Sequence, residues 1–267
     1  VISGNEAVRG GVFVMSQAEL QNCLIYGNRA LDYGAVSNAG SYTYIDSILR
    51  SNSAVYQAGV AQQGTNILIN CIVDQNNAGN EGAVFAFGDN HLLNCTFAHN
   101  QPEIMYDSST SGGDSLGELE VINSFLGGDA LISGDASLIT LHYTAWDQSS
   151  PIPTSSMAEV IGLVKVSKDS AFVDYINYDY HLAASSKLID RGSKPEWMAN
   201  SNNVTSDIAG NPRITNNTID IGAYEYPLIV TAACQIYETG QNYNTIQAAL
   251  NAAQNGQTIY VYPGTIT

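Results

Sequence analysis

Apolar and polar positions alternate along the first hundred residues, and the alternation itself recurs. Asn28 closes the segment Asn22-Cys23-Leu24-Ile25-Tyr26-Gly27-Asn28, and Asn52, Asn76 and Asn100 close matching segments at steps of 24 residues. Asn5 lies 23 residues before Asn28, and Gly11, Gly34, Gly59 and Gly82 keep nearly the same period. Ile2, Ile25, Leu49, Val73 and Phe97 form an apolar column, with Cys23, Ser47, Cys71 and Cys95 as a column of small residues two positions earlier. Tyr26, Arg50, Asp74 and Ala98 vary beside them. A fixed apolar column next to a variable one is the period-2 signature of a strand with one buried face, whereas a helical repeat would place apolar residues three and four apart. Each unit of about 24 residues is therefore one coil of a solenoid whose strands pair in parallel, about 4.8 Å apart along the axis. The asparagine column reads as a ladder of stacked amides at a turn. The predicted fold is all-β, a single-stranded parallel β-helix.

The period breaks after Asn100. Asn123 follows Asn94 by 29 residues, so this coil holds an insertion over residues 101–117, of the kind that emerges from a solenoid as a loop. Strand-like sequence resumes at Val121-Ile122-Asn123-Ser124 and at Leu138-Ile139-Thr140-Leu141. The predicted organisation is β-helix coils over 1–145, a closing segment over 146–227, and a cap helix with a strand over 228–267.

Two stretches resemble known families. Asp179-Tyr180-His181-Leu182, Ser185 to Gly192, Asp207-Ile208-Ala209-Gly210-Asn211-Pro212-Arg213 and Ile219-Asp220-Ile221-Gly222-Ala223-Tyr224-Glu225-Tyr226 follow one another in order. The series resembles the closing segment of right-handed parallel β-helix bacterial surface proteins of the choice-of-anchor Q type, with Lys187 where that group usually has proline. The resemblance implies a right-handed coil, an exported bacterial protein, and cap or turn roles for Asp174, Asp179, Asp190, Asp207 and Asp220, bonding backbone amides or Arg191 and Arg213. The second stretch, Tyr243 to Ala253 followed by Gly256 to Thr265, resembles the N-terminal cap and first strand of pectate-lyase-like β-helices. Ile246, Ala249, Leu250 and Ala253 share one helical face, and Ile259 and Val261 lie on the strand that follows Gly256. These six are the candidate assembly residues, since a bare solenoid end exposes apolar core and unpaired edges. Val1 reads as mid-strand sequence with no leader before it, and the cap-like stretch comes last. An excerpt of a tandem protein, head-to-tail assembly of copies, and a fold-back onto the first coil all fit that order.

Composition narrows the partners. The chain has 267 residues and a formal net charge of −16, from 25 acidic and 9 basic groups. Such a surface repels phosphate backbones and anionic lipid, which counts against nucleic acid and bare membranes as partners. No apolar run approaches the roughly 18 residues of a membrane span. Charged residues make up only 13%, a polar but weakly charged balance that fits an extracellular or cell-surface location. Expected partners are copies of the chain or adjacent β-helix units, and glycans.

Pectate-lyase-like folds often carry polysaccharide lyases or hydrolases. A lyase needs a base beside acidic calcium ligands, yet Arg9, Arg29 and Arg50 are the only Lys or Arg before Lys165. Arg50 and Asp74 share a column one coil apart and are expected to form a surface ion pair. Asp46, Asp74 and Asp89 fall in different columns, which gives no hydrolase pair. No catalytic residue is assigned and no cofactor is required. Asp107, Asp114 and Asp129 are candidate calcium ligands. Tyr26, Tyr33, Tyr44 and Tyr56 form a candidate glycan-stacking face. Cys71 and Cys95, on adjacent coils, are read as small core thiols or as a disulfide. His91, His99, His142 and His181 read as structural or surface groups. The expected function is a non-catalytic structural or adhesive rod, able to assemble head to tail through its cap segment. The alternative is a calcium-dependent polysaccharide lyase or hydrolase acting on acidic glycans.

Overall fold

The computed structural model describes all residues except 10–11, 13–15, 33–34, 37–39, 56–58, 61–63, 78–84, 87, 102–104, 107–117, 128–138, 150–158, 227–232 and 263–267. The expected parallel solenoid is present. An eight-stranded parallel sheet runs from Ile2–Ser3 through Leu24–Tyr26, Ile48–Arg50, Ile72–Asp74, Thr96–Ala98, Phe125–Leu126 and Ala145–Asp147 to Val164–Val166. A seven-stranded second sheet runs from Ser16–Gln21 to Glu159–Ile161, and a three-stranded third sheet joins Glu6–Arg9, Arg29–Asp32 and Ser53–Ala54.

The apolar column is in register as read: Ile2 pairs with Ile25, Ile25 with Leu49, Leu49 with Val73 and Val73 with Phe97. Ile25, Leu49, Val73 and Phe97 are fully buried, each worth about 2 kcal/mol of transfer free energy. The 29-residue spacing also holds, since Phe97 pairs with Leu126 and Asn123 bonds Asn94.

Bends at recurring positions make the solenoid turn, and two of them carry non-glycine residues at positive φ. Between the second and first sheets the backbone passes through the left-handed region at Asn22, Asp46, Asn70, Asn94, Asn123 and Tyr143. Asn and Asp tolerate that conformation better than other side chains. The small-residue column follows directly. Its hydroxyls and thiols donate back to the carbonyl two residues earlier, as Ser47 Oγ does to Ile45 O at 2.8 Å and Ser124 Oγ to Ile122 O at 2.8 Å. The second bend passes through Gly4, Gly27, Ser51, Gln75 and His99, all at positive φ. The asparagine ladder comes next, with each amide oxygen accepting from the asparagine one coil earlier. Asn28 Nδ2 reaches Asn52 Oδ1 at 2.9 Å, Asn52 reaches Asn76 at 3.0 Å, and Asn76 reaches Asn100 at 3.0 Å. The same oxygens take the backbone N–H of Asn28, Asn52 and Asn76.

Beyond Val166 the chain turns back along the outside of the coils. It forms helix α1 (Lys168–Ala171), the hairpin Phe172–Asp174 with Asp179–Leu182, and helix α2 (Lys194–Asn200). Phe172, Tyr175, Tyr180, Leu182, Ile221 and Ala223 pack on the outward residues Ile72, Ala98, Phe125, Ala145 and Val166 of the first sheet. Trp197, Ile214, Ile219 and Tyr237 pack on a second outward column, Ile45, Ile69, Leu93 and Ile122. The closing segment thus covers a flank of the solenoid.

The expected C-terminal helix is also present. Helix α3 (Ile246–Ala252) is N-capped by Thr245, whose hydroxyl accepts from Ala248 N at 3.1 Å. It packs on a three-stranded antiparallel sheet of Cys234–Ile236, Gln241–Tyr243 and Ile259–Val261. No helix among the described residues is long and apolar enough to cross a membrane.

Candidate functional site

The outward face of the first sheet is where a solenoid can present side chains, and its exposed part is small. Tyr26 and Arg50 are register neighbours on that face. Arg50 Nε donates to Asp74 Oδ1 at 2.7 Å, as the column spacing predicts. The pair is not a surface pair, however. Asp74 is 0% exposed, because the hairpin lies over it and Tyr180 OH donates to its second oxygen at 3.0 Å. Burial and the neighbouring Asp74 raise the Tyr180 phenol above its ordinary value. The guanidinium lies 5.8 Å from the Tyr178 ring centre, so it is held on two sides. Next along the face, His99 Nε2 donates to Tyr175 O at 3.0 Å, with rings of Tyr175 and Tyr178 around it.

Of the four tyrosines proposed as a stacking face, Tyr26 is exposed and Tyr44 is fully buried. Tyr44 belongs to the inward column with Leu68, Leu92 and Val121, and so cannot meet an external ligand. Tyr33 and Tyr56 lie outside the described residues, as do Asp107, Asp114 and Asp129. Among the described residues no group of three His, Cys, Asp or Glu side chains could hold a metal ion. Cys71 and Cys95 are free buried thiols, the first of the two readings. Cys71 Sγ lies 3.4 Å from the carbonyls of Tyr44 and Ile69, and burial pushes its thiol well above the ordinary range.

A second polar constellation was not legible beforehand. Arg213 is fully buried between the coils and the closing segment, with its guanidinium 5.4 Å from the Trp197 ring centre. Its Nη1 donates to Glu225 Oε1 at 2.9 Å and Gly222 O at 3.0 Å; its Nη2 donates to Asn70 Oδ1 at 2.5 Å and Ala223 O at 2.8 Å. Burial drives the Glu225 carboxyl well above the usual carboxylate range, with Asp220 nearby adding to it. Burial also pushes Asp220 up to about 6, against the N–H bonds it accepts from Tyr226 and Asp190. Asp174, Asp179, Asp207 and Asp220 bond backbone amides, one of the two roles the family resemblance implied, while Asp190 accepts from the Thr218 hydroxyl and Arg213 pairs with Glu225. Asp207 takes the N–H of Ala209, Asn211 and Glu225. Asp179 takes that of His181, and Asp174 that of Asn177. The histidines are likewise tied in, His142 standing 3.1 Å from Glu196 and 3.2 Å from Glu159, and His91 3.0 Å from Glu120.

The six candidate assembly residues are divided. Ala249 is buried against the small sheet, Ile246, Ala253 and Ile259 are half-buried there, and Leu250 and Val261 are 55% and 39% exposed. The unit docks on the closing segment of its own chain. Lys194 Nζ donates to Glu238 O at 2.6 Å, Tyr237 OH to Val204 O at 3.2 Å, and Trp197 Nε1 bonds Tyr237 OH. No family model, curated protein or solved structure matches the chain.

Proposed function

We propose that this chain is a non-catalytic structural or adhesive β-helical module of an exported, cell-surface protein. One observation carries the reading: basic groups at the covered face are consumed in fixed pairs, Arg50 with Asp74, Lys168 with Asp147 and Arg213 with Glu225. Arg50, whose Nε is held by a buried carboxylate and whose plane rests by Tyr178, is anchored as part of the wall. The order of closing-segment motifs supports kinship with β-helix proteins of the choice-of-anchor Q type, and the last forty residues support a pectate-lyase-like cap. The acidic, lysine-poor composition supports an extracellular or cell-surface setting.

The test is incubation with polyuronates and neutral glycans, with and without calcium, followed by ultraviolet absorbance for unsaturated ends and a reducing-end assay. No product is expected. Depolymerisation that disappears in Arg50→Ala would replace this reading with the lyase one.

A further inference from the structure

We infer that the seam between the coils and the closing segment is a proton-operated clasp. The Asp220–Glu225 pair takes up a proton in mildly acidic solution, and the cover is then held to the rod more firmly than at alkaline pH. The device works in the same way whatever the module contacts.

Three buried carboxylates meet one buried guanidinium in this seam. Arg213, Asp207, Asp220 and Glu225 are 0%, 1%, 3% and 5% exposed. Glu225 Oε1 accepts from Arg213 Nη1 at 2.9 Å and from Asp220 N at 3.0 Å, while Glu225 N donates to Asp207 Oδ2 at 2.8 Å. Asp46 joins from the coils through Asn70, which donates to Asp46 Oδ1 at 2.9 Å and accepts from Arg213. Uncompensated charge away from water is costly, and a buried group relieves the cost by neutralising. The oxygens are not equally placed to do so. Asp207 is supplied by four N–H donors, from Ala209, Glu225 and twice from Asn211. Among the described residues Glu225 Oε2 has Asp220 N alone, at 3.3 Å, and shares it with Oε1. That oxygen is the one left to carry a proton. Burial pushes both members of the pair up, Asp220 to about 6 and Glu225 well above the usual carboxylate range.

The direction of the effect follows. A carboxyl raised in the folded chain gives stability that is fully present below its unfolded value and is lost as pH rises through the folded one. For Asp220 that window runs from 3.8 to about 6. The other ionisable groups around this network are Asp46 on the coils, Asp190 and Tyr224 on the closing segment, and Tyr237 and Tyr260 on the C-terminal sheet. Burial raises the three phenols, so they stay neutral at pH 8. It raises Asp46 as well, which adds to the same trend. Asp147 and Asp179 are lowered, against burial, by bonds from Ser149 and His181, and their contribution is lost only at more acidic pH.

The test takes the full chain from pH 5 to pH 8 at constant ionic strength. Carbon-13 NMR of the Asp220 and Glu225 carboxyls should show at least one titrating with a midpoint near 6 or above. The amides of Gly222 and Ser193, which bond Asn123 across the seam, should exchange about tenfold more slowly at pH 5 than at pH 8 after correction for intrinsic rates. Glu225→Gln and Asp220→Asn should each at least halve that ratio. Exposed Glu19→Gln, an equal change in net charge, should leave it intact. The histidines and the acidic surface are common to all four chains, so the differences report the pair. Both carboxyls titrating below about pH 4.5 overturns the inference, and this reading needs no variant to fold. So does a seam exchange ratio near one in the unaltered chain. A ratio that falls as far in Glu19→Gln as in Glu225→Gln also overturns it, since the pH effect then belongs to net charge.

Discussion

Two of the asparagine columns along this solenoid work differently. The inner column, Asn28, Asn52, Asn76 and Asn100, lies within the wall and bonds mainly to itself and to coil carbonyls. The outer column, Asn70, Asn94 and Asn123, sits at the left-handed bend and bonds the closing segment. Asn70 Nδ2 reaches Ser206 O at 2.6 Å, Asn94 Nδ2 reaches Asp220 O at 2.8 Å, and Asn123 Nδ2 reaches Ser193 O at 3.0 Å. Ser193 N returns a bond to Asn123 Oδ1 at 2.6 Å, and Arg213 completes the set on Asn70. One residue type thus stacks coils through amide pairing and, through tolerance of positive φ, offers its amide sideways to a later segment. Local repetition builds the rod, and sparse long-range bonds fix what covers it.

The sharpest way to separate the two columns is to remove the closing segment's anchor. Arg213→Met should leave Glu225 buried without its cation and deprive Asn70 Oδ1 and two carbonyls of donors, at about 3–5 kcal/mol. Urea unfolding should show the loss, while amides of Ile72–Asp74 stay slow below the main transition if the coils stand by themselves. Simultaneous loss of coil protection would show that rod and cover are one cooperative unit. Asn76→Ala attacks the other column. It orphans the buried N–H of Asn52 and one N–H of its side-chain amide, and takes one donor each from the Leu49 carbonyl and the Asn100 amide oxygen, for about 3 kcal/mol. Here exchange should quicken along the adjacent coils, with Trp197 fluorescence in the closing segment unchanged until global unfolding. A fluorescence change that precedes coil opening would break the distinction.

The rod was legible because its determinants repeat: a period, an inward column and a ladder can all be read by subtraction. The cover was legible only in outline. Its aspartates were placed as amide-binding turn groups, but Arg213 and Asn70 are 143 residues apart and no local pattern joins them. One signal was available. Ile45, Ile69, Leu93 and Ile122 each follow an inward residue directly, and adjacent apolar residues in a strand bury both of its faces. The same test would have moved Tyr44 inside. Asp74 lacked even that signal, since its column neighbour Arg50 is half-exposed and its cover, Tyr180, comes from 106 residues away.

The smallest effect isolates the backbone part of the outer column. Asn94 has φ of 50°, donates to Asp220 O and accepts from Asn123 Nδ2 at 3.1 Å. Asn94→Gly and Asn94→Ala lose the same hydrogen bonds, so the difference between them reports the bend alone. Glycine enters the left-handed region freely, while alanine meets its Cβ clash there, and alanine should be less stable by about 1 kcal/mol. That figure already sets a clash of about 1–2 kcal/mol against glycine's greater freedom in the unfolded chain, about 0.4–1 kcal/mol. Chemical denaturation of the two variants under matched conditions reads it directly. A glycine variant no more stable than the alanine one would mean that the outer asparagines are kept for their bonds to the closing segment and not for the turn.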